Sequence, residues 1–195
     1  MNYQKIVNKE NRLSKTYRPK NLVKIEPKVK GSINPNRKIL VEQETFENWN
    51  ALVEDAKKQG FEFYISSGYR SYTYQEKVLK HYIEKEGVDA AIRRVAIPGT
   101  SEHQTGLAFD YFFVRDEENH YDMLEDDQEY QWIKNNAHKY GFIIRYPRGK
   151  ENITGFNYEP WHLRYVGGIA TYLYENNLTL DEFVLKQQKR LVLTK

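Results

Sequence analysis

Two short segments limit what this chain can fold into more than anything else in it. Residues 101–110 read Ser-Glu-His-Gln-Thr-Gly-Leu-Ala-Phe-Asp, and residues 159–162 read Glu-Pro-Trp-His. His103 and Asp110 are seven apart and would face opposite sides of one unbroken strand. Gln104-Thr105-Gly106 supplies a turn that can bring both side chains to one side. Asp110 sits in a strongly apolar run, residues 107–114, where a carboxylate is costly unless paired or metal-bound. His162 lies 52 residues beyond it in equally apolar company. Two histidines and one carboxylate, His103, Asp110 and His162, match a zinc site that leaves a fourth position open to water. Glu159 is then left over to move that water's proton. The pattern points to a zinc-dependent peptidase.

Each segment taken alone has a plainer reading. Asp110 could meet a buried arginine or cap a turn, and His103 could simply be hydrogen-bonded, as most buried polar groups are. Glu159 precedes Pro160, which biases it to extended geometry and keeps it out of a helix interior. The helical His-Glu-x-x-His arrangement is therefore excluded. A structural corner, with Trp161 packed and Glu159 paired to Arg164 or Arg145, fits the spacing equally well. Arg70, delivered by the Ser67-Gly68-Tyr69 turn, is by itself an ordinary surface ion-pair former. His81, His120 and His138 are assigned no role.

Composition narrows the class. The 195 residues suit one domain with a sizeable core, and 39% hydrophobic with 14% aromatic residues argues for folding over disorder. A net charge of +3, dispersed along the chain, gives no nucleic-acid footprint. Lys186, Lys189, Arg190 and Lys195 read as the solvated side of a terminal helix. With no cysteine, disulfides and thiolate metal sites are excluded, so any metal must use His, Asp or Glu. No run approaches the roughly 20 apolar residues of a membrane helix. The N-terminus shows no signal peptide, so the expected location is cytoplasmic for a complete chain, and the cell envelope or exterior if a leader has been removed.

Taken in order, residues 1–40 predict an extended segment packed on the rest, with short extended pieces at residues 6–7, 22–25 and 38–41. Periodicity predicts a helix over 45–59, capped by Thr45 and ended by Gly60. A half-buried strand follows over 61–66. The spacing of Thr73 and Glu76 predicts a capping box opening a helix, with Gly87 beyond its end. A short helix over 89–94, a loop at 96–100 and a central strand over 107–114 come next, then an acidic surface loop at 116–127. A helix over 127–140, a strand over 142–146, a loop at 149–157 and a strand over 162–166 follow. Two helices, 168–176 and one capped by Thr179 and Glu182, end the chain. Strands without regular helical crossovers indicate α+β rather than a doubly wound sheet.

Together these stretches resemble the zinc D-alanyl-D-alanine carboxypeptidases of the VanY and VanXY type, including the related L,D-carboxypeptidases. The matching pieces run in family order over nearly the whole chain, 1–195. They are Val7-Asn8-Lys9, Tyr17-x-Pro19-x-x-Leu22-Val23, Ser67-Gly68-Tyr69-Arg70-Ser71 with Gln75, and residues 98–110. Residues 141–147, Thr154-Gly155 and residues 158–167 complete the set. Phe109 and Tyr111-Phe112-Phe113 make the metal strand more aromatic than usual, and Leu163 replaces a common Phe.

The resemblance implies a single peptidase domain of the hedgehog/D,D-peptidase kind, a central antiparallel sheet flanked by helices. It implies one zinc ion per chain on His103, Asp110 and His162, with Glu159 as catalytic base. Arg70 would stabilise the oxyanion or hold substrate, and Gln75 and Ser101 would lie near the substrate's terminal residue. The implied activity is removal of the C-terminal D-alanine from peptidoglycan precursor or stem peptides by a monomer or dimer. Dipeptidase action on D-Ala-D-Ala and vancomycin-resistance-like roles fall within the family. L,D-carboxypeptidase action on tetrapeptides is one alternative, and a non-catalytic zinc-containing peptide or wall-binding module another.

Overall fold

The computed structural model describes residues 2–25, 39–113 and 125–193. It is an α+β fold. β1 (Leu22–Ile25) pairs antiparallel with β2 (Ile39–Glu42). α1 (Gln43–Lys58) follows at once, its N-terminus capped by Glu42, whose carboxylate accepts from the Thr45 backbone. The cap therefore lies three residues before the expected Thr45, because Glu42 is buried at the strand end and reaches the free amides first.

The main sheet runs β3-β4-β6-β5, antiparallel throughout. Its strands are β3 (Phe63–Ser67), β4 (Ala108–Phe113), β5 (Phe142–Tyr146) and β6 (Glu159–Tyr165). Between β3 and β4 lie α2 (Tyr72–Glu86) and α3 (Val88–Arg94). α2 is capped by Ser71, which accepts from the Tyr74 amide, and not by the Thr73–Glu76 box. α4 (Gln128–Asn136) ends in a 3-10 turn, Ala137–Tyr140, with Gly141 left-handed at φ 81. The expected loop at 149–157 contains a one-turn helix, α5 (Glu151–Thr154). α6 (Ala170–Glu175) and α7 (Leu180–Leu193) finish the chain. At α7 the Thr179–Glu182 box is fully formed, with bonds of 2.8 and 3.1 Å. Most of the acidic loop expected at 116–127 lies outside the described residues.

Alternation along β4 and β6 divides the sheet into two faces. Phe109, Tyr111, Leu163 and Tyr165 join Trp49 and Leu52 of α1 and Phe142 of β5 in the main core. Trp49 meets the Phe109 ring edge-on at 4.9 Å. Truncating Trp49 to Ala would cost about 3–5 kcal/mol. Asp110, His162 and Arg164 take the opposite parity and so the opposite face. A second cluster, Val166, Ala170, Leu173, Leu180 and Phe183, packs the C-terminal helices with Ile143. The N-terminal segment is anchored by buried Val7 and Leu13, and by the carbonyls of Tyr3 and Lys5, which both accept from Arg164.

Candidate metal centre

Register places the first two groups. Asp110 on β4 is the direct cross-strand partner of His162 on β6, so their side chains leave one face side by side. His103 comes from a 3-10 turn, Glu102–Thr105, closed by Gly106 at φ 71. There a Cβ would come within 3.0 Å of Leu22 and 3.3 Å of the Glu42 amide, so glycine is needed for both backbone and space. This is the turn that brings His103 over Asp110.

His103 Nε2 lies 3.3 Å from Asp110 Oδ1, and His162 Nδ1 lies 3.1 Å from the same oxygen. One donor atom from each residue falls within 4.8 Å of the others. His103 Nδ1 is 2.7 Å from the Gly68 carbonyl, which can only accept. The ring proton therefore sits on Nδ1, and Nε2 turns its lone pair to the centre. That Nε2 is buried and has no hydrogen-bond partner among the described residues. A buried lone pair beside a carboxylate and a second imidazole is the donor set a divalent zinc ion uses, and the residues fit that ion.

Burial, then the Arg70 charge, push His103 down to about 4. Burial would raise Asp110, but His103 and His162 outweigh it and hold the carboxyl well below its usual range. Burial would lower His162; the Asp110 carboxylate at 3.1 Å and the Glu102 carboxylate on the ring's other side outweigh it and push the group up to about 9. Glu159 opens β6, its Oε2 3.8 Å from His162 Nδ1. Burial raises its pKa to about 7, with His162 opposing and Asp110 adding to the rise. A carboxylate poised near neutrality beside a metal site is suited to accept and return a proton.

Arg70 reaches the same centre, with Nη2 3.6 Å from Asp110 Oδ2 and Nη1 donating to Gln75 Oε1 at 3.3 Å. Gln75 is buried, and its amide nitrogen donates to the Ala96 carbonyl at 2.8 Å. Both ends of that amide are engaged, so Gln75 stands behind Arg70. Ser101 is buried and lines the same open groove, as do Tyr146, Phe156 and Trp161. All seven expected site residues thus line or back one groove. His81 also lines it, but farther along and outside the donor group, while His138 stacks on Tyr174 at 4.0 Å.

Sequence reasoning missed Glu102. It is buried between Arg145 and Arg164, at 2.8 and 2.7 Å. These are the arginines that a structural corner would have given to Glu159; their anion is Glu102, and Arg145 also pairs with Asp181 at 2.6 Å. The readable signal was two arginines inside apolar strands, each of which needs a buried anion.

Comparison with known proteins gives a consistent result. The family model described as VanY, D-alanyl-D-alanine carboxypeptidase, matches residues 38–168. The YodJ protein of Bacillus subtilis (strain 168) is 40% identical over 189 residues, covering 94% of this chain and 67% of its own length. The chain spans about half to two thirds of the curated relatives first matched. Among solved structures, the LdcB LD-carboxypeptidase superposes with a TM-score of 0.79 at 39% identity, covering 93% of this chain and 85% of that one. A mutant of the vancomycin resistance D,D-pentapeptidase VanY, in complex with Zn(II), superposes with a TM-score of 0.75 at 29% identity. It covers 94% of this chain and 99% of its own.

Proposed function

The chain belongs to the VanY family of D-alanyl-D-alanine carboxypeptidases, and from that membership we propose that it is a zinc metallo-carboxypeptidase removing C-terminal D-alanine from peptidoglycan-type peptides. The single observation that carries the reading is the convergence of His103, Asp110 and His162 with Glu159 poised beside them. One ion per chain would be held by His103 Nε2, Asp110 and His162. When bound there, zinc supplies Lewis-acid activation of water and of the scissile carbonyl.

The protein's own groups do the rest. Glu159, ionised above about pH 7, takes the proton of the attacking water and returns it to the leaving D-alanine amine. Arg70 donates to the oxygen that gains negative charge, or to the substrate's terminal carboxylate. Gln75 holds the guanidinium at that task, and Ser101 offers a hydroxyl along the groove wall. Tyr146, tilted against His162 at 4.9 Å and stacked on Phe156 at 4.5 Å, braces the imidazole from one side.

A second reading is favoured by one comparison. LdcB, described as an LD-carboxypeptidase, is more similar in sequence and shape than the VanY structure, so cleavage between an L-residue and D-alanine is the alternative specificity. Mass spectrometry of three peptides incubated with zinc-loaded protein decides. These are D-Ala-D-Ala, a pentapeptide ending in it, and a tetrapeptide ending in L-Lys-D-Ala. Release of D-alanine from either of the first two supports D,D-cleavage, and release from the tetrapeptide alone supports the alternative. No release from any of them, at full metal occupancy, removes the peptidase reading.

A further inference from the structure

His162 has two ring nitrogens, and a carboxylate stands at each edge of the ring. On the Nδ1 side are Asp110 Oδ1 at 3.1 Å and Glu159 Oε2 at 3.8 Å. On the Nε2 side is Glu102 Oε2 at 3.9 Å. Nε2 and Glu102 Oε2 are both buried, and neither has a hydrogen-bond partner among the described residues. They are two orphaned polar atoms facing each other. The other Glu102 oxygen takes both Arg145 Nε and Arg164 Nη1, at 2.8 and 2.7 Å. Two guanidiniums on one oxygen hold the group as an anion and fix the direction of the other.

A neutral imidazole carries one N–H and one lone pair. A buried carboxylate oxygen attracts an N–H and repels a lone pair, and at 3.9 Å, beyond hydrogen-bond reach, it still acts on the ring as a charge on a dipole. Asp110 and Glu159 would draw a proton to Nδ1 in the metal-free ring; we infer that with the metal bound on that side Glu102 is a positioning residue, which holds the one remaining proton of His162 on Nε2 and so supports Nδ1 as the atom offered to the metal.

The two histidines are thus set by different means. A neutral backbone carbonyl, that of Gly68, orients His103, and an anion orients His162. An anion behind the ring also makes Nδ1 the stronger donor. The inference rests on the reading of His103, Asp110 and His162 as a metal centre, and not on the peptidase reaction.

The test is ¹⁵N NMR of the whole zinc-loaded protein labelled at histidine, read through two-bond ring couplings. The expected result is a protonated Nε2 on His162 and a protonated Nδ1 on His103. A protonated Nδ1 on His162 would overturn the inference. In parallel, zinc affinity by chelator competition is expected to fall about 10–100-fold in folded Glu102→Gln. An affinity within twofold of wild type would also overturn it. Should the loss of the anion between two arginines prevent Glu102→Gln from folding, the wild-type spectrum alone decides. A wild-type protein that binds zinc with this proton pattern yet cleaves no peptide would sink the peptidase reading and leave the role of Glu102 standing.

Discussion

Glu159 shares its pocket with an imidazole and two further carboxylates, and that setting makes its ionisation the step most exposed to pH. Its raised pKa of about 7 means the base is protonated in mild acid, so kcat/KM should fall as pH drops below about 7. Initial rates of D-alanine release across pH 5–9 measure this. Glu159→Gln should lower kcat by about 10²–10⁴-fold while zinc content by elemental analysis stays at the wild-type level. A Gln variant with wild-type turnover would remove Glu159 as the base. If Arg70 donates to the oxygen that gains negative charge, as proposed, Arg70→Ala should lower kcat by about 10²–10³-fold. Gln75→Ala should act more weakly and through Arg70, since one end of the Gln75 amide is taken by Arg70 and the other by the Ala96 carbonyl.

Among the elements, the turn after β3 has little room for change. A Cβ on Gly68 would stand 2.3 Å from the Leu40 carbonyl of β2, while the Gly68 carbonyl orients His103. Gly68→Ala should therefore destabilise the fold by about 1–3 kcal/mol and weaken zinc binding together, read from denaturant midpoints and chelator competition. Elements whose cues are local can be read directly from the residues. β5 is found at 142–146 as expected, since Gly141 and Pro147 bound it, and α7 starts at the Thr179–Glu182 box. The start of α2 could not be read this way. Ser71 and Thr73 both offer hydroxyls at capping distance, and only the course of the chain out of β3 selects Ser71. His103, Asp110, His162 and Glu159 were readable because charges in apolar runs demand partners. Glu102 was hidden for the opposite reason: it adjoins a histidine that explained the segment already, and its partners lie 43 and 62 residues on.

For the molecule as a whole, the consequential feature is the buried cluster of Glu102, Asp181, Arg145 and Arg164, two anions against two cations. Burial alone would raise the Glu102 carboxyl, but Arg145 and Arg164 outweigh it and hold the group far below the usual carboxylate range. A folded pKa below the unfolded one contributes stability that is fully present above the ordinary carboxylate range. That contribution is lost as pH falls through the folded value. The urea midpoint should therefore hold steady above about pH 5 and decline below it, and Glu102→Gln should flatten the decline. Arg164 is also held by the carbonyls of Tyr3 and Lys5, and Asp181 begins the last helix. Contacts from residues 3–5 and from α7 therefore converge on the two arginines that hold the carboxylate behind His162. A chain cut before α7 would still carry His103, Asp110 and His162 but would leave Arg145 with one anion in place of two, so weaker zinc binding is expected of it.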